Sequence, residues 1–221
     1  MAERALIIGT SGGIGATVAA TLAARAVETV GLSRREHGLD VTDPASVEQV
    51  MEGVEGPFGL VLVATGILAP PGRRPEKALD RIEAQALAET FAVNAIGPAL
   101  LMRHVPRLLD RRAAGVAAVL TARVGSIGDN FLGGWYGYRA SKAAANQIVR
   151  SAAIEIARTH PRAAVVALHP GTVETPFTAA YPGHDKVSPR RAAENLLAVI
   201  GGLTAQDTGR FLDWAGEEIP W

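Results

Sequence analysis

Arg4-Ala5-Leu6-Ile7-Ile8-Gly9-Thr10-Ser11-Gly12-Gly13-Ile14-Gly15 reads as strand, turn and helix. Ala5–Ile8 is apolar without alternation, as expected of a strand covered on both faces. Gly9 suits the tight turn, Gly13 lets a backbone approach a pyrophosphate, and Gly15 lets helix and strand pack closely. The helix that follows offers free N–H groups and the positive end of its dipole to an anion. Gly9, Ser11, Gly12, Gly13, Ile14 and Gly15 are therefore candidate ligands of a dinucleotide. The spacing is G-x-x-x-G-x-G rather than G-x-G-x-x-G, so its place after a first strand carries the reading. No lysine follows the glycines, which disfavours a P-loop NTPase.

The same alternation continues along the chain. Strand-like runs lie at Arg4–Gly9, Thr29–Ser33, Phe58–Ala64, Gly115–Thr121, Ala163–His169 and Gly209–Asp213. Helical periodicity predicts helices at Gly13–Ala26, Pro44–Glu52, Glu76–Asn94, Pro98–Arg112, Tyr136–Thr159 and Pro189–Gly201. Strand alternating with helix implies an α/β fold, a doubly wound parallel sheet with helices on both faces. Between Ser33 and Asp40 there is no room for a full helix and strand. This crossover is expected to shrink to a loop and a stub strand near Leu39–Val41. Pro70–Pro75 reads as the opening of the next helix rather than a linker. Residues 1–221 are thus expected to form a single dinucleotide-binding domain of ordinary size.

Composition excludes several classes. A formal net charge of zero gives no support to nucleic-acid or anionic-membrane binding. With no cysteine there is no disulfide framework, thiol nucleophile or thiolate metal site. No apolar run approaches the ~20 residues of a membrane span and no secretory signal is visible, so a cytoplasmic setting is expected. His37, His104, His160, His169 and His184 show no metal-ligand spacing and read as structural or surface residues.

Strand two ends in Ser33-Arg34-Arg35. Dinucleotide folds selective for NAD carry an acidic residue near this point for the ribose 2′-OH, whereas arginine grips a 2′-phosphate through parallel hydrogen bonds. This favours NADP(H), with NAD(H) an open alternative. Asp40 can accept from an adenine amine, and Asp43 can cap the helix opened by Pro44. Further on, Tyr138-Arg139-Ala140-Ser141-Lys142 places a phenol and an ammonium four residues apart on one helix face. A phenol near pKa ~10 exchanges protons poorly at neutral pH, and a neighbouring cation lowers that value. The pair is a candidate acid/base for carbonyl chemistry. Gly97-Pro98 interrupts the helix just after Asn94, where freed carbonyls can hold water or Asn94 can simply cap the break.

The turn at 9–15, Asn94, Tyr138 and Lys142 together resemble the short-chain dehydrogenase/reductase family, over essentially the whole chain. Phe91–Pro98 is similar to its mid-chain asparagine segment. Val63-Ala64-Thr65-Gly66 stands where the family has N-N-A-G, and His169-Pro170-Gly171-Thr172-Val173-Glu174-Thr175 resembles its Pro-Gly segment. Residues 133–142, the missing crossover and residues 213–221 resemble the compact carbonyl-reductase-like and C-factor-like branch. The resemblance implies Tyr138 as general acid or base, with Lys142 lowering its pKa and bonding the nicotinamide ribose. It implies Asn94 holding a relay water. Ala64, Thr65 and Gly66 would join the cofactor contacts, as would Pro170, Gly171, Val173 and Thr175; Thr175 can equally cap a helix at Pro176. The catalytic serine of that branch aligns with Ala122, which cannot donate a hydrogen bond. Ser126 is the first replacement and Thr121 the second. Phe131, Trp135, Phe177 and Tyr181 are candidate walls of an apolar substrate pocket. The expected activity is hydride transfer between NADP(H) and a small carbonyl or secondary alcohol, in a homodimer or homotetramer paired through the alanine-rich helix from Tyr138. The rival is a nucleotide-binding regulatory or signalling protein with little turnover.

Overall fold

Alternation along the strands divides the core in two. A computed structural model describes residues 3–181 and 185–221. Its six strands are β1 (Arg4–Ile8), β2 (Glu28–Leu32), β3 (Leu60–Val63), β4 (Gly115–Leu120), β5 (Ala163–His169) and β6 (Phe211–Asp213), all in the parallel order β2-β1-β3-β4-β5-β6. Successive side chains point to opposite faces. Leu6, Ile8, Val61, Val63, Val119 and Val165 face one core with α3 (Pro44–Glu52), α5 (Gly97–Met102), α6 (Val105–Leu108) and α7 (Tyr136–Ala157). Ala5, Ile7, Leu60, Leu62, Val166 and Leu168 face the other, under α1 (Gly13–Ala24) and α8 (Pro189–Gly202). The fold is the doubly wound Rossmann-type arrangement expected.

β2 and β3 flank β1 on opposite sides, so the strand order reverses there. A crevice opens beyond the carboxyl ends of β1 and β3, where open α/β sheets bind ligands. The crossover after β2 is cut to one helical turn, α2 (Arg34–His37), and a loop. The expected stub strand at Leu39–Val41 is absent; both residues are buried in the α3 side of the core without pairing.

Two predicted helices are corrected. Of Glu76–Asn94, the α-helix covers only α4 (Ala84–Phe91), preceded by a 3₁₀ turn at Leu79–Arg81 and followed by a π-turn at Ala92–Ile96. Residues 70–83 do not open a helix. They fold against the start of α7, where the Glu76 carboxylate accepts the Gly137 N–H at 3.1 Å and its carbonyl accepts that of Trp135. Pro98–Arg112 splits into α5 and α6, because Pro106 has no N–H for the Met102 carbonyl four residues earlier.

Candidate active site

The glycine turn is built by contacts that only glycine permits. Gly9 has φ +103°, and a Cβ there would lie 2.8 Å from the Ala64 carbonyl oxygen. A Cβ on Gly15 would strike the Gly9 carbonyl, and one on Gly13 would sit 2.6 Å from the Thr175 methyl. Gly12 precedes α1 with no side chain to cap it. The first-turn N–H groups of α1 thus keep no intrahelical or side-chain partner. Ser11, Gly12, Gly13 and Ile14 line a cavity of about 590 Å³ at the switch point.

The same cavity is lined by Ala64, Thr65, Gly66, Tyr138, Lys142, Pro170, Gly171, Val173 and Thr175. The Thr65 hydroxyl is buried without a partner. Thr175 precedes a short turn at Pro176–Thr178; its N–H donates to the Thr178 hydroxyl at 3.4 Å and its own hydroxyl donates to the Val173 carbonyl at 3.5 Å. Gly171 has φ +79°, packed under Trp214.

Tyr138 and Lys142 are both buried, at 7% and 3% exposure, on one face of α7. Burial alone pushes the phenol above its ordinary value, so it holds its proton at neutral pH. Burial also depresses the Lys142 ammonium to about 8, and its Nζ donates to the Leu120 carbonyl at 3.1 Å. The expected downward pull of Lys142 on the phenol does not appear; burial is the one cause that moves it.

Asn94 is fully buried in the π-turn. Its amide pairs with the backbone of Ile67, accepting the N–H and donating to the carbonyl, both at 2.8 Å. It also donates to Ser141 Oγ at 3.0 Å, and Ser141 donates to the Tyr138 carbonyl at 2.9 Å. The side chain thus braces the β3 exit against α7. A Cβ on Gly66 would meet Lys142 Nζ at 3.2 Å and Asn94 Oδ1 at 3.3 Å, which explains why glycine stands there. Sequence reasoning missed Ile67 and Ser141; the demand of a buried amide for partners was the available signal.

Ser126 does not line the cavity. Its hydroxyl donates to the Pro220 carbonyl and accepts the Asp129 N–H at 3.0 Å. That burial against the carboxyl-terminal segment corrects its assignment as the catalytic serine. Thr121 and Ala122 do line the cavity, and the Thr121 hydroxyl is buried without a partner.

At the end of β2, Ser33 caps α2 by accepting the Glu36 N–H at 3.3 Å, so its hydroxyl is committed locally. Arg34 and Arg35 are exposed and form no ion pair among the described residues. Asp40 Oδ1 accepts from the Thr42 N–H at 2.9 Å and hydroxyl at 2.7 Å, bonds that hold its carboxyl below the usual range. Asp43 caps α3 as expected.

Trp135, Phe177 and Tyr181 join Tyr138 in an edge-on aromatic group lining the cavity, with ring centroids 5.1–6.1 Å apart. Phe131 is not part of it; its ring is 86% exposed. His169, read as structural or surface, lines the cavity with Arg123. Burial lowers its pKa to about 4, so the ring is neutral, and its Nδ1 has no partner. Arg123 links Asp129 at 2.6 Å to Asp213 at 3.8 Å. His184 lies outside the described residues. Among the described residues no helix is long and apolar enough to cross a membrane.

A family model described as Enoyl-(Acyl carrier protein) reductase matches residues 9–211. The chain is 33% identical over 187 residues to the 1-hydroxy-2-glutathionyl-2-methyl-3-butene dehydrogenase of Rhodococcus sp., covering 84% of this chain and 80% of that one. It is 38% identical over 148 residues to the C-signal of Myxococcus xanthus, covering 65% and 84%. A carbonyl reductase from Pseudomonas aeruginosa, solved in complex with NADP, superposes with a TM-score of 0.80 at 26% identity, covering 99% of each chain.

Proposed function

The chain belongs to the short-chain dehydrogenase/reductase family, and from that premise we propose that it is an NADP(H)-dependent reductase of small carbonyl compounds, and the dehydrogenase of the corresponding alcohols. The observation that carries the proposal is the buried Tyr138–Lys142 pair on the wall of a cavity that the glycine turn also lines. The residues fit a dinucleotide: glycines stand where a Cβ would fill the cradle, Thr65 offers an unpartnered buried hydroxyl, and two exposed arginines stand at the end of β2. When bound, that cofactor supplies the hydride. The first turn of α1 would hold the pyrophosphate, Arg34 and Arg35 the 2′-phosphate, and residues 170–175 the nicotinamide end. The NADP complex of the carbonyl reductase relative supports this choice over NAD(H).

Tyr138 enters reduction as a neutral phenol and gives its proton to the substrate oxygen. Lys142, with a pKa near 8, is mostly charged at neutral pH and stabilises the phenolate left behind. Thr121 rather than Ser126 would donate to the carbonyl oxygen, a role supported by its cavity-lining position and its unpartnered buried hydroxyl. The aromatic group around Trp135 covers the apolar part of the substrate. A homodimer or homotetramer through the outer face of α7, in a reducing cytoplasm, belongs to the same proposal; Ile154 on that helix is 51% exposed.

The test is NADPH oxidation against aldehydes, ketones and quinones, in wild type and Tyr138→Phe. Loss of the phenol is expected to lower kcat about 10²–10⁴-fold while NADPH affinity is retained. NADPH binding without oxidation across the panel, unchanged in Tyr138→Phe, would reject the enzyme reading. The rival regulatory or signalling reading draws on the C-signal relative and on alanine at position 122.

A further inference from the structure

A second cavity, of about 310 Å³, adjoins the first and shares Leu68 and Tyr138 with it. Its charged lining is Arg73, Arg74, Lys77 and Arg81 against Glu76 and Glu83. One carboxylate is neutralised and the other is held by backbone, keeping its charge against the remaining cations. Glu83 pairs with Arg73, and Glu76 accepts the Gly137 N–H at the start of α7. Arg81 has its neighbour Asp80 at 3.7 Å. Arg74 and Lys77 form no hydrogen bond or ion pair among the described residues.

The segment that carries these cations is anchored. Pro70 and Pro75 are buried, the Arg73 N–H closes a turn on the Pro70 carbonyl at 3.0 Å, and the Glu76 carbonyl accepts the Trp135 N–H. A chain with zero net charge has no global field to draw anions here, so the excess is local. Guanidinium and ammonium groups with no internal partner suit a carboxylate.

We propose that this cavity is an anion subsite that takes the terminal carboxylate of an oxo-acid substrate, whose carbonyl lies against Tyr138 in the larger cavity. The substrate class rests on the reading of Tyr138 as the reacting group; the anion subsite does not.

The test compares 6-oxohexanoate with its methyl ester as NADPH-dependent substrates, in wild type, Arg74→Ala, Lys77→Ala and Arg74→Lys. Wild type is expected to favour the acid by about tenfold in kcat/KM, with less preference at high salt. Arg74→Ala and Lys77→Ala raise KM for the acid and erase that preference, and Arg74→Lys restores part of it. Equal use of acid and ester by wild type, or variants that lower both alike, would overturn the proposal. Calorimetry with hexanedioate, and its dimethyl ester as control, reads the subsite without turnover. Should neither substrate react, hexanedioate binding that disappears in Arg74→Ala keeps the anion subsite and removes the oxo-acid as its substrate. Absence of that binding in wild type removes the subsite.

Discussion

At the scale of single residues, burial sets the chemistry of the site. The Lys142 ammonium has a pKa near 8 in the fold against 10.5 free. Between these values the unfolded chain binds more protons, so stability rises with pH from about 8 to about 10.5. Below that window the buried charge costs about 3 kcal/mol, at about 1.36 kcal/mol per unit. Lys142→Met is expected to raise the urea midpoint at pH 7, abolish turnover and remove the rise in stability across that window; unfolding curves at several pH values check this. The donor to the carbonyl oxygen is tested in the same way. Thr121→Val is expected to lower kcat about 10²–10³-fold, as loss of one oxyanion-type donor does elsewhere. Ser126→Ala should instead lower stability by about 1 kcal/mol, since its hydroxyl serves the Pro220 carbonyl. Steady-state rates and denaturation of the two variants separate these roles.

At the scale of elements, the turn from β1 into α1 and the short α2 divide the work on a dinucleotide. On the proposed reading the β1–α1 turn would bind any pyrophosphate through backbone, and so would not choose between coenzymes. The choice would fall to side chains at the end of β2, where Arg34 and Arg35 stand exposed. Arg34→Asp is expected to weaken NADPH by about 1.5–3 kcal/mol through loss of a charge-assisted bond, with a relative gain for NADH. Fluorescence titration of both coenzymes reads the shift, and a wild type that prefers NADH would reject the assignment. The elements with strong local signals, α1, α3, α7 and α8, appear at the predicted places. The α4 region was less legible because residues 76–83 carry helical periodicity, yet Glu76 spends its carboxylate and its carbonyl on the start of α7.

At the scale of the molecule, the carboxyl-terminal residues hold the cavity wall in place. Ile219 is fully buried, and Trp221 stacks on Phe211 with centroids 5.6 Å apart. The carbonyls of Pro220 and Trp221 accept from Ser126 and Gly128, in the loop that carries Arg123 and Val124 into the cavity wall. Deleting residues 219–221 is expected to cost at least about 3 kcal/mol, from the apolar side chains returned to water, and to raise substrate KM. Urea unfolding and kinetics at subsaturating substrate check both effects.

The parallel sheet, the glycine turn and the Tyr138–Lys142 face were legible in the residues because each is a local matter. Strand and helix periods, positive φ at Gly9 and a four-residue helical spacing all lie within one short window of chain. The partners of Asn94, the fate of Ser126, the contact of Gly13 with Thr175 and the second cavity were not. Each joins residues far apart in sequence, such as Ser126 with Pro220 or Glu76 with Gly137, and the packing of the two cores decides which of them meet.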